Sequence, residues 1–258
     1  MRRRISFCIG LLAAVLACGG CGEPKEAKAA RISGIEKMAA GDYSGAIASF
    51  EEALDASDGI VHRFELDILK YRGEAEYMAG DYAAAAYTYG TLEQVDNERA
   101  EYRYYKAAAE AMAGNFETAQ ADYETAAELP RVSEQSAQAA ASAALTALSE
   151  AARQAGETEK ALEYCRTAID SGMAGPGILN QMGLSLAQAG NPDEAIRYFE
   201  QGLLQAEGEA AAALTRNLAA VYEQKLDFAK ALELLREYRA SWGAVPEVER
   251  EISFLESR

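Results

Sequence analysis

The residues of this chain best suited to metal binding or nucleophilic catalysis are one histidine and four cysteines. His62 has no cysteine or second histidine at ligand spacing, so we expect it to be exposed or to cap a helix. The sequence has no glycine-rich phosphate loop and no Gly-x-Ser-x-Gly turn, and its carboxylates follow the spacing of helix surfaces. It therefore predicts a protein that is not an enzyme and that uses no metal or cofactor.

Acidic residues and tyrosines are the other chemically distinctive groups, and both are concentrated in one part of the chain. The formal net charge is −16, and residues 31–130 contain 20 acidic against 8 basic side chains together with ten of the 14 tyrosines. Such a chain should be repelled by nucleic acid and by anionic lipid headgroups. Two interpretations stay open: acidic helices that keep an alanine-rich protein soluble, or an acidic, tyrosine-rich binding surface.

A recurring motif indicates which elements carry these side chains. The segment Gly190–Glu200 has counterparts that begin at Gly41, Gly80, Gly114, Gly156 and Leu226, with successive spacings of 39, 34, 42, 34 and 36 residues. Each start is followed at the same offset by an alanine, namely Ala46, Ala85, Ala119, Ala161, Ala195 or Ala231. Four residues later comes Phe50, Tyr89, Tyr123, Cys165, Phe199 or Leu235. A period of about 34 residues is typical of stacked helical hairpins.

The motif resembles the tetratricopeptide repeat (TPR), in which a small residue seven positions before the turn glycine lets two helices cross closely. Those positions hold Gly34, Gly73, Ala107, Ser149, Gly183 and Ala219. The resemblance implies an all-α fold, an α-α superhelix (solenoid) of about six hairpins. Repeats four and six depart from the pattern, because Cys165 replaces the aromatic residue and Leu226 replaces the turn glycine.

We predict that the TPR array covers residues 31–258 and ends in a capping helix over 246–257, where Val248, Ile252 and Leu255 share a face. The repeats are expected near 27–60, 66–99, 100–133, 142–175, 176–209 and 212–245. The paired helices are expected at 28–40 and 43–55, 64–79 and 82–95, 99–113 and 116–129, 133–155 and 158–171, 176–189 and 192–206, and 210–225 and 228–241. The long first spacing indicates a longer loop or an extra helical turn near 55–62.

The first 21 residues have the pattern of a secretion signal. Three arginines, Arg2 to Arg4, precede the uncharged and mostly apolar run at 5–17. That run has 13 residues, and crossing a bilayer takes about 20. The segment therefore predicts export rather than a membrane-spanning helix.

The signal ends in Val-Leu-Ala-Cys at 15–18, which resembles a bacterial lipobox. The resemblance implies cleavage before Cys18 and acylation of that cysteine, with Cys21 as the alternative. Residues 22–30 would then form a short polar tether, and more than one acyl chain would hold the protein at a bacterial membrane. Cys165 is expected to be a small buried apolar residue rather than a reactive thiol.

In the TPR family the first helix of each hairpin lines a concave face. The resemblance therefore implies that the candidates for partner binding are Asp67, Lys70, Tyr71, Glu74, Tyr77 and Met78 in repeat two, and Glu101, Tyr104, Tyr105 and Met112 in repeat three. Tyr77 and Met78 suit a core position equally well. Some members bind a C-terminal carboxylate with a Lys/Asn/Arg clamp, which is not met here, although Asn180 and Asn217 fall at groove positions of later repeats.

Together these features predict a non-catalytic, membrane-anchored TPR scaffold that binds a protein or peptide partner, with a basic or aromatic segment, at the bacterial cell envelope. The alternatives are a structural subunit of an envelope assembly, such as a secretion, pilus or outer-membrane insertion machine, and a docking adaptor for envelope hydrolases. We expect no binding to nucleic acid.

Overall fold

The computed structural model of the protein describes residues 23–57, 59–96 and 99–258. The predicted signal segment, with Cys18 and Cys21, lies outside these residues. The described residues form thirteen α-helices and no strand. The helices are α1 (Lys25–Ala39), α2 (Tyr43–Asp55), α3 (Arg63–Ala79), α4 (Tyr82–Val95), α5 (Ala100–Ala113), α6 (Phe116–Ala126), α7 (Glu134–Gln154), α8 (Thr158–Asp170), α9 (Pro176–Gln188), α10 (Pro192–Leu203), α11 (Gly208–Gln224), α12 (Phe228–Trp242) and α13 (Pro246–Glu256).

The predicted fold class, an all-α superhelix of hairpins, is confirmed. Consecutive helices pack against each other from α1 through α6, and again from α8 through α13. The density of internal contacts divides the chain between Leu148 and Ser149, within α7. We call the described residues up to Leu148 the N-terminal unit and residues 149–258 the C-terminal unit.

The first helix begins earlier than the sequence indicated. We expected the first helix to begin at residue 28 and residues 22–30 to be a polar tether, but α1 starts at Lys25 and includes most of that segment. Ala27 and Ala30 are buried on one face of its first two turns, and Lys28 pairs with Glu23 at 3.0 Å. The tether prediction is wrong for residues 25–30, because alanines three positions apart give this stretch a packing face that its charged residues conceal.

Close helix crossings hold each hairpin together. A methyl group added to Gly183 would lie 2.6 Å from the ring of Phe199, and one added to Gly34 would overlap the ring of Phe50 as well. Both phenylalanines are fully buried. The small residue of the motif therefore makes room for the aromatic residue of the second helix, as its spacing predicted.

The turns follow the sequence with one exception. Gly80 and Gly190 adopt left-handed backbone conformations, with φ of 81° and 82°. Leu226 replaces the glycine in repeat six and still adopts φ of 61°, a conformation that is costly for a residue with a Cβ. Asp81 accepts a hydrogen bond from the backbone N–H of Ala84 at 3.2 Å, so the acidic turn residue caps the next helix.

Two further predictions concern the connection between α2 and α3 and the last helix of the chain. Residues 56, 57 and 59–62 are not helical, since α2 ends at Asp55 and α3 begins at Arg63, so the described part of this connection is a loop rather than an extra helical turn. At the end of the chain, α13 buries Val248, Ile252 and Leu255, the face expected of a capping helix.

Replacing Gly34 with alanine should destabilise the N-terminal unit by about 1–3 kcal/mol, because the new methyl group forces the Phe50 ring out of its place. Gly90→Ala is the matched control, since Gly90 is also helical and its nearest side-chain neighbour, Lys106, is 3.9 Å from an added methyl. That variant should be neutral or more stable by up to about 1 kcal/mol. Urea unfolding of both variants measures the difference, and equal midpoints would contradict the close-crossing argument.

Candidate partner-binding surface

Three predicted residues lie along one face of α3. Asp67, Tyr71 and Glu74 are spaced four and then three residues apart, which places them on adjacent turns of the helix. Arg31 of α1 donates from Nε to Asp67 Oδ2 at 2.6 Å, and its guanidinium lies 5.5 Å from the centre of the Tyr71 ring. That ring also stacks on Phe50, with the two centres 5.8 Å apart. Tyr71 is therefore held in place by the preceding hairpin.

Glu74 continues this face and differs from its neighbours. The side chain is half-buried, and among the described residues it takes part in no hydrogen bond or ion pair. Burial raises the pKa of its carboxyl from 4.5 to about 7. Its charge in turn raises the pKa of Tyr71, Tyr89 and Tyr105, although burial is the larger cause for each. These three tyrosines belong to α3, α4 and α5 respectively.

Tyr105 of α5 forms the other side of this region. It is half-buried, and its ring lies 5.3 Å from that of Tyr89, centre to centre. Tyr89 is 2% exposed, and its hydroxyl has no hydrogen-bond partner among the described residues. We define the α3–α5 surface as Asp67, Lys70, Tyr71, Glu74 and Tyr105, with Tyr89 at its base.

The cationic side chains near the α3–α5 surface interact with groups other than Glu74. Arg72 binds Glu76 at 2.7 Å, Lys106 binds Asp122 at 2.9 Å, and Arg103 pairs with Glu93. Lys70 Nζ lies 5.5 Å from the centre of the Tyr102 ring, where a cation is attracted by the π-electrons. None of these neighbours is paired with the Glu74 carboxyl.

Two of the predicted contact tyrosines are buried instead. Tyr77 is 6% exposed and Tyr104 is 7% exposed. Tyr77 lies edge-on to Tyr82, with ring centres 5.1 Å apart, and Tyr104 packs on Tyr123 at 5.4 Å. They are core residues, so the alternative interpretation of Tyr77 is the right one and the choice of Tyr104 as an accessible contact is wrong.

Glu101 has a structural role as well. Its Oε1 accepts hydrogen bonds from the backbone N–H of Val132 at 2.8 Å and from the Ser136 hydroxyl at 2.6 Å. The carboxylate thus holds the segment that enters α7, where unpaired N–H groups attract negative charge. Sequence spacing did not reveal this role, because the acceptor and its donors are more than 30 residues apart.

The remaining candidates lie in intermediate positions. Met78 and Met112 are half-buried near the ends of α3 and α5. In the C-terminal unit, Asn217 donates from Nδ2 to Asn180 Oδ1 at 2.8 Å, so the two asparagines satisfy each other. Sequence analysis missed Tyr89 as part of the surface, although its place at the aromatic position of the repeat marked it as buried between helices.

The histidine and the described cysteine agree with expectation. His62 is exposed and precedes α3, and its backbone N–H donates to the Glu65 carboxylate at 2.9 Å. Cys165 is buried, its sulfur lies 3.0 Å from the Ser149 hydroxyl, and burial raises its pKa to about 11. A thiol with that pKa stays protonated near neutral pH, so it acts as a packing residue.

No helix among the described residues has both the length and the apolar character needed to cross a membrane. No group of three or more His, Cys, Asp or Glu side chains in that part of the chain has the arrangement of a metal site.

The fold and the surface define a helical-repeat protein of the kind that presents side chains on stacked hairpins. Tetratricopeptide repeat models match residues 33–93 and 106–176 in one case and 177–242 in another. The chain belongs to the tetratricopeptide repeat family. No protein with curated annotation gives a significant sequence match.

Solved structures share the fold at low sequence identity. PilW, a widely conserved type IV pilus biogenesis factor, matches with a TM-score of 0.61 and 14% identity over 88% of this chain and 98% of PilW. The APC/C hetero-tetramer Cut9-Hcn1 matches with a TM-score of 0.60 and 15% identity over 89% of this chain and 42% of its own. Yeast Tom70 matches with a TM-score of 0.57 and 16% identity, covering 90% and 53%.

Glu74→Gln should make the protein more stable at pH 8 and leave its stability at pH 4 almost unchanged. In the folded protein the carboxyl stays protonated up to about pH 7, whereas in the unfolded chain it ionises above its ordinary pKa of 4.5. The stabilising contribution is complete below 4.5 and is lost as pH rises through about 7, which amounts to at most about 3 kcal/mol. The titratable groups that its charge affects are Tyr71, Tyr89 and Tyr105, and the other charged groups that act on these tyrosines are Asp67 and Arg31, Glu76, and Glu101.

Thermal unfolding across this pH range measures the effect. Glu117→Gln is the matched control, because Glu117 lies exposed on α6 and loses the same charge. The stability of the Glu117 variant should follow that of the unaltered protein at every pH. Parallel curves for the Glu74 variant and the unaltered protein would show that the carboxyl is ordinarily solvated.

Proposed function

We propose that the protein is a non-catalytic, membrane-anchored TPR scaffold that binds a protein or peptide partner at the bacterial cell envelope. The observation that carries the binding proposal is the α3–α5 surface. It presents partly accessible tyrosine, acidic and basic side chains on a rigid helical base, and tyrosines are favoured in protein interfaces. The neighbouring hairpins fix these side chains, so little conformational entropy is lost when a partner binds.

The burial of three candidate residues supports a smaller set of partner contacts. Tyr77, Glu101 and Tyr104 are occupied within the fold, so the partner-facing set reduces to Asp67, Lys70, Tyr71, Glu74, Tyr105 and Met112. The acidic character of the N-terminal unit favours a basic partner segment by long-range attraction.

The envelope part of the proposal rests on the first 21 residues. Their arginines, short apolar run and Val-Leu-Ala-Cys ending support export and acylation at Cys18, or alternatively at Cys21. An acyl anchor would also explain how so acidic a protein stays at a membrane, since anionic headgroups repel it.

A second candidate function is a structural subunit of an envelope assembly, or an adaptor that docks envelope hydrolases. The likeness to PilW, a type IV pilus biogenesis factor, favours an assembly role, although at 14% identity it is a likeness of fold. In that case contacts with several neighbours would spread over faces outside the α3–α5 surface.

Replacing the acylated cysteine with serine should release the protein from the membrane fraction and abolish its labelling by palmitate. We expect this for Cys18→Ser, with Cys21→Ser as the other possibility, because stable attachment depends on the acyl chains. Cys8→Ser, inside the signal, is the control and should keep both properties. Unchanged labelling and membrane retention in all three variants would refute the lipid anchor.

A photo-cross-linking amino acid at position 105 or 112 should capture a single partner in intact membranes, whereas the same group at position 87 should not. Tyr87 is the matched control because it is 75% exposed on α4, away from the α3–α5 surface. With the cross-linker at 112, adding Tyr105→Ala should reduce capture of that partner by about tenfold, and Tyr87→Ala should leave it unchanged. Equal capture at positions 87, 105 and 112 would favour the second candidate.

A further inference from the structure

We propose that Glu74, together with the Tyr105 ring and the hydroxyl groups of Tyr71 and Tyr89, receives a single lysine or arginine side chain of the partner. This inference rests on the proposed partner-binding function and adds the chemistry of its central contact. A basic segment would bind the whole acidic unit loosely, whereas this pocket would select one cationic side chain and fix its register.

The first support is an uncompensated charge. Glu74 is partly withdrawn from water and has no ion pair or hydrogen bond among the described residues, while the nearby cations Arg72, Arg103 and Lys106 each bind another carboxylate. A half-buried carboxylate without a partner is costly. An incoming ammonium or guanidinium group would remove that cost, and no group within the N-terminal unit does so.

The second support is the Tyr89 hydroxyl. Tyr89 is only 2% exposed, and its hydroxyl is without a hydrogen-bond partner in the described part of the chain. An added Cβ at Gly73, the residue before Glu74, would lie 3.1 Å from Cζ of Tyr89, and the Tyr105 ring packs on that of Tyr89. The three residues therefore lie in one region, and the charge of Glu74 adds to the effect of burial in raising the pKa of both tyrosines. A cation bound at Glu74 would bring N–H donors to this otherwise unsatisfied oxygen, whereas an apolar group would leave both polar groups unpaired.

The third support is the aromatic surroundings. Tyr105 packs on Tyr89 at 5.3 Å, and its side chain is partly exposed at the surface, where the face or edge of an aromatic ring can contact a cation. The ring of Tyr71 already lies against Phe50 and the Arg31 guanidinium, so its contribution is its hydroxyl and edge. The same unit already uses cation–ring contacts twice, with Arg31 on Tyr71 and Lys70 on Tyr102.

Other ligand classes fit this pocket less well. A carboxylate or phosphate group would face Glu74 and Asp67 and would be repelled. A purely aromatic side chain would cover the carboxyl without pairing it, at the desolvation cost described above. A lysine or arginine side chain of a polypeptide can pair with the Glu74 carboxylate, donate to the Tyr89 hydroxyl and contact the Tyr105 ring at the same time.

Short Gly/Ser peptides that carry one lysine, one arginine or one acetyl-lysine test the inference. They are titrated at low salt and pH 8 into the full chain in detergent, labelled with 3-fluorotyrosine, and fluorine NMR reports on the tyrosine environments. The lysine and arginine peptides should bind and shift the Tyr105 signal, whereas the acetyl-lysine peptide should bind at least about tenfold more weakly, because it lacks the charge.

Variants separate the local contact from general attraction. Glu74→Gln should lower the affinity of the protein for the lysine peptide by about tenfold. The matched charge control, Glu117→Gln, should change that affinity by less than about twofold. Equal weakening by both variants, or equal binding of the acetyl-lysine peptide, would overturn the inference. Tyr105→Leu provides a second test that keeps the charge and should also weaken binding, and circular dichroism confirms that each variant is folded.

The cross-linked partner distinguishes this inference from the proposed function. If Tyr105→Ala lowers capture of the partner but Glu74→Gln leaves both capture and peptide binding unchanged, the surface binds a partner and the cation pocket is wrong. If neither variant affects capture, the proposed function of the surface fails as well.

Discussion

Close packing of an aromatic ring against a residue without a side chain is the contact on which the structure depends. Phe50 occupies the space where Gly34 would carry a methyl group, and Phe199 does the same at Gly183. These contacts fix how closely the two helices of a hairpin approach. The aromatic side chain is buried at this crossing and contributes to the core of the hairpin. The exposed face of the first helix does not take part in that contact, so its charge can vary.

The N-terminal unit shows how that freedom is limited by neighbouring hairpins. Tyr71 lies on the outward face of α3, yet Phe50 and Arg31 hold it from the preceding hairpin. Tyr105 occupies the equivalent position on α5 and is partly exposed, whereas Tyr104, one residue earlier, is buried against Tyr123. The accessible surface therefore depends on which first-helix side chains are buried against neighbouring helices, and only a few of them remain exposed.

Most of the fold could be predicted from the sequence, because the repeat places small and aromatic residues at fixed offsets that have one packing solution. Helix ends were predicted to within a few residues, and α13 buries the expected face. The start of α1 was missed because charged residues hide the burial of Ala27. Glu101 was misassigned because its partners, Val132 and Ser136, belong to the irregular entry to α7, which no repeat position specifies.

The contrast between Glu101 and Glu74 shows what a carboxylate needs in such a fold. Glu101 is the more deeply buried, but backbone and hydroxyl donors satisfy one of its oxygens. Glu74 keeps some access to water and has no donor in the described residues, and burial raises its pKa. Since replacing an unpaired half-buried carboxylate with an amide should favour folding, its presence is better explained by a contact made outside the N-terminal unit than by stability.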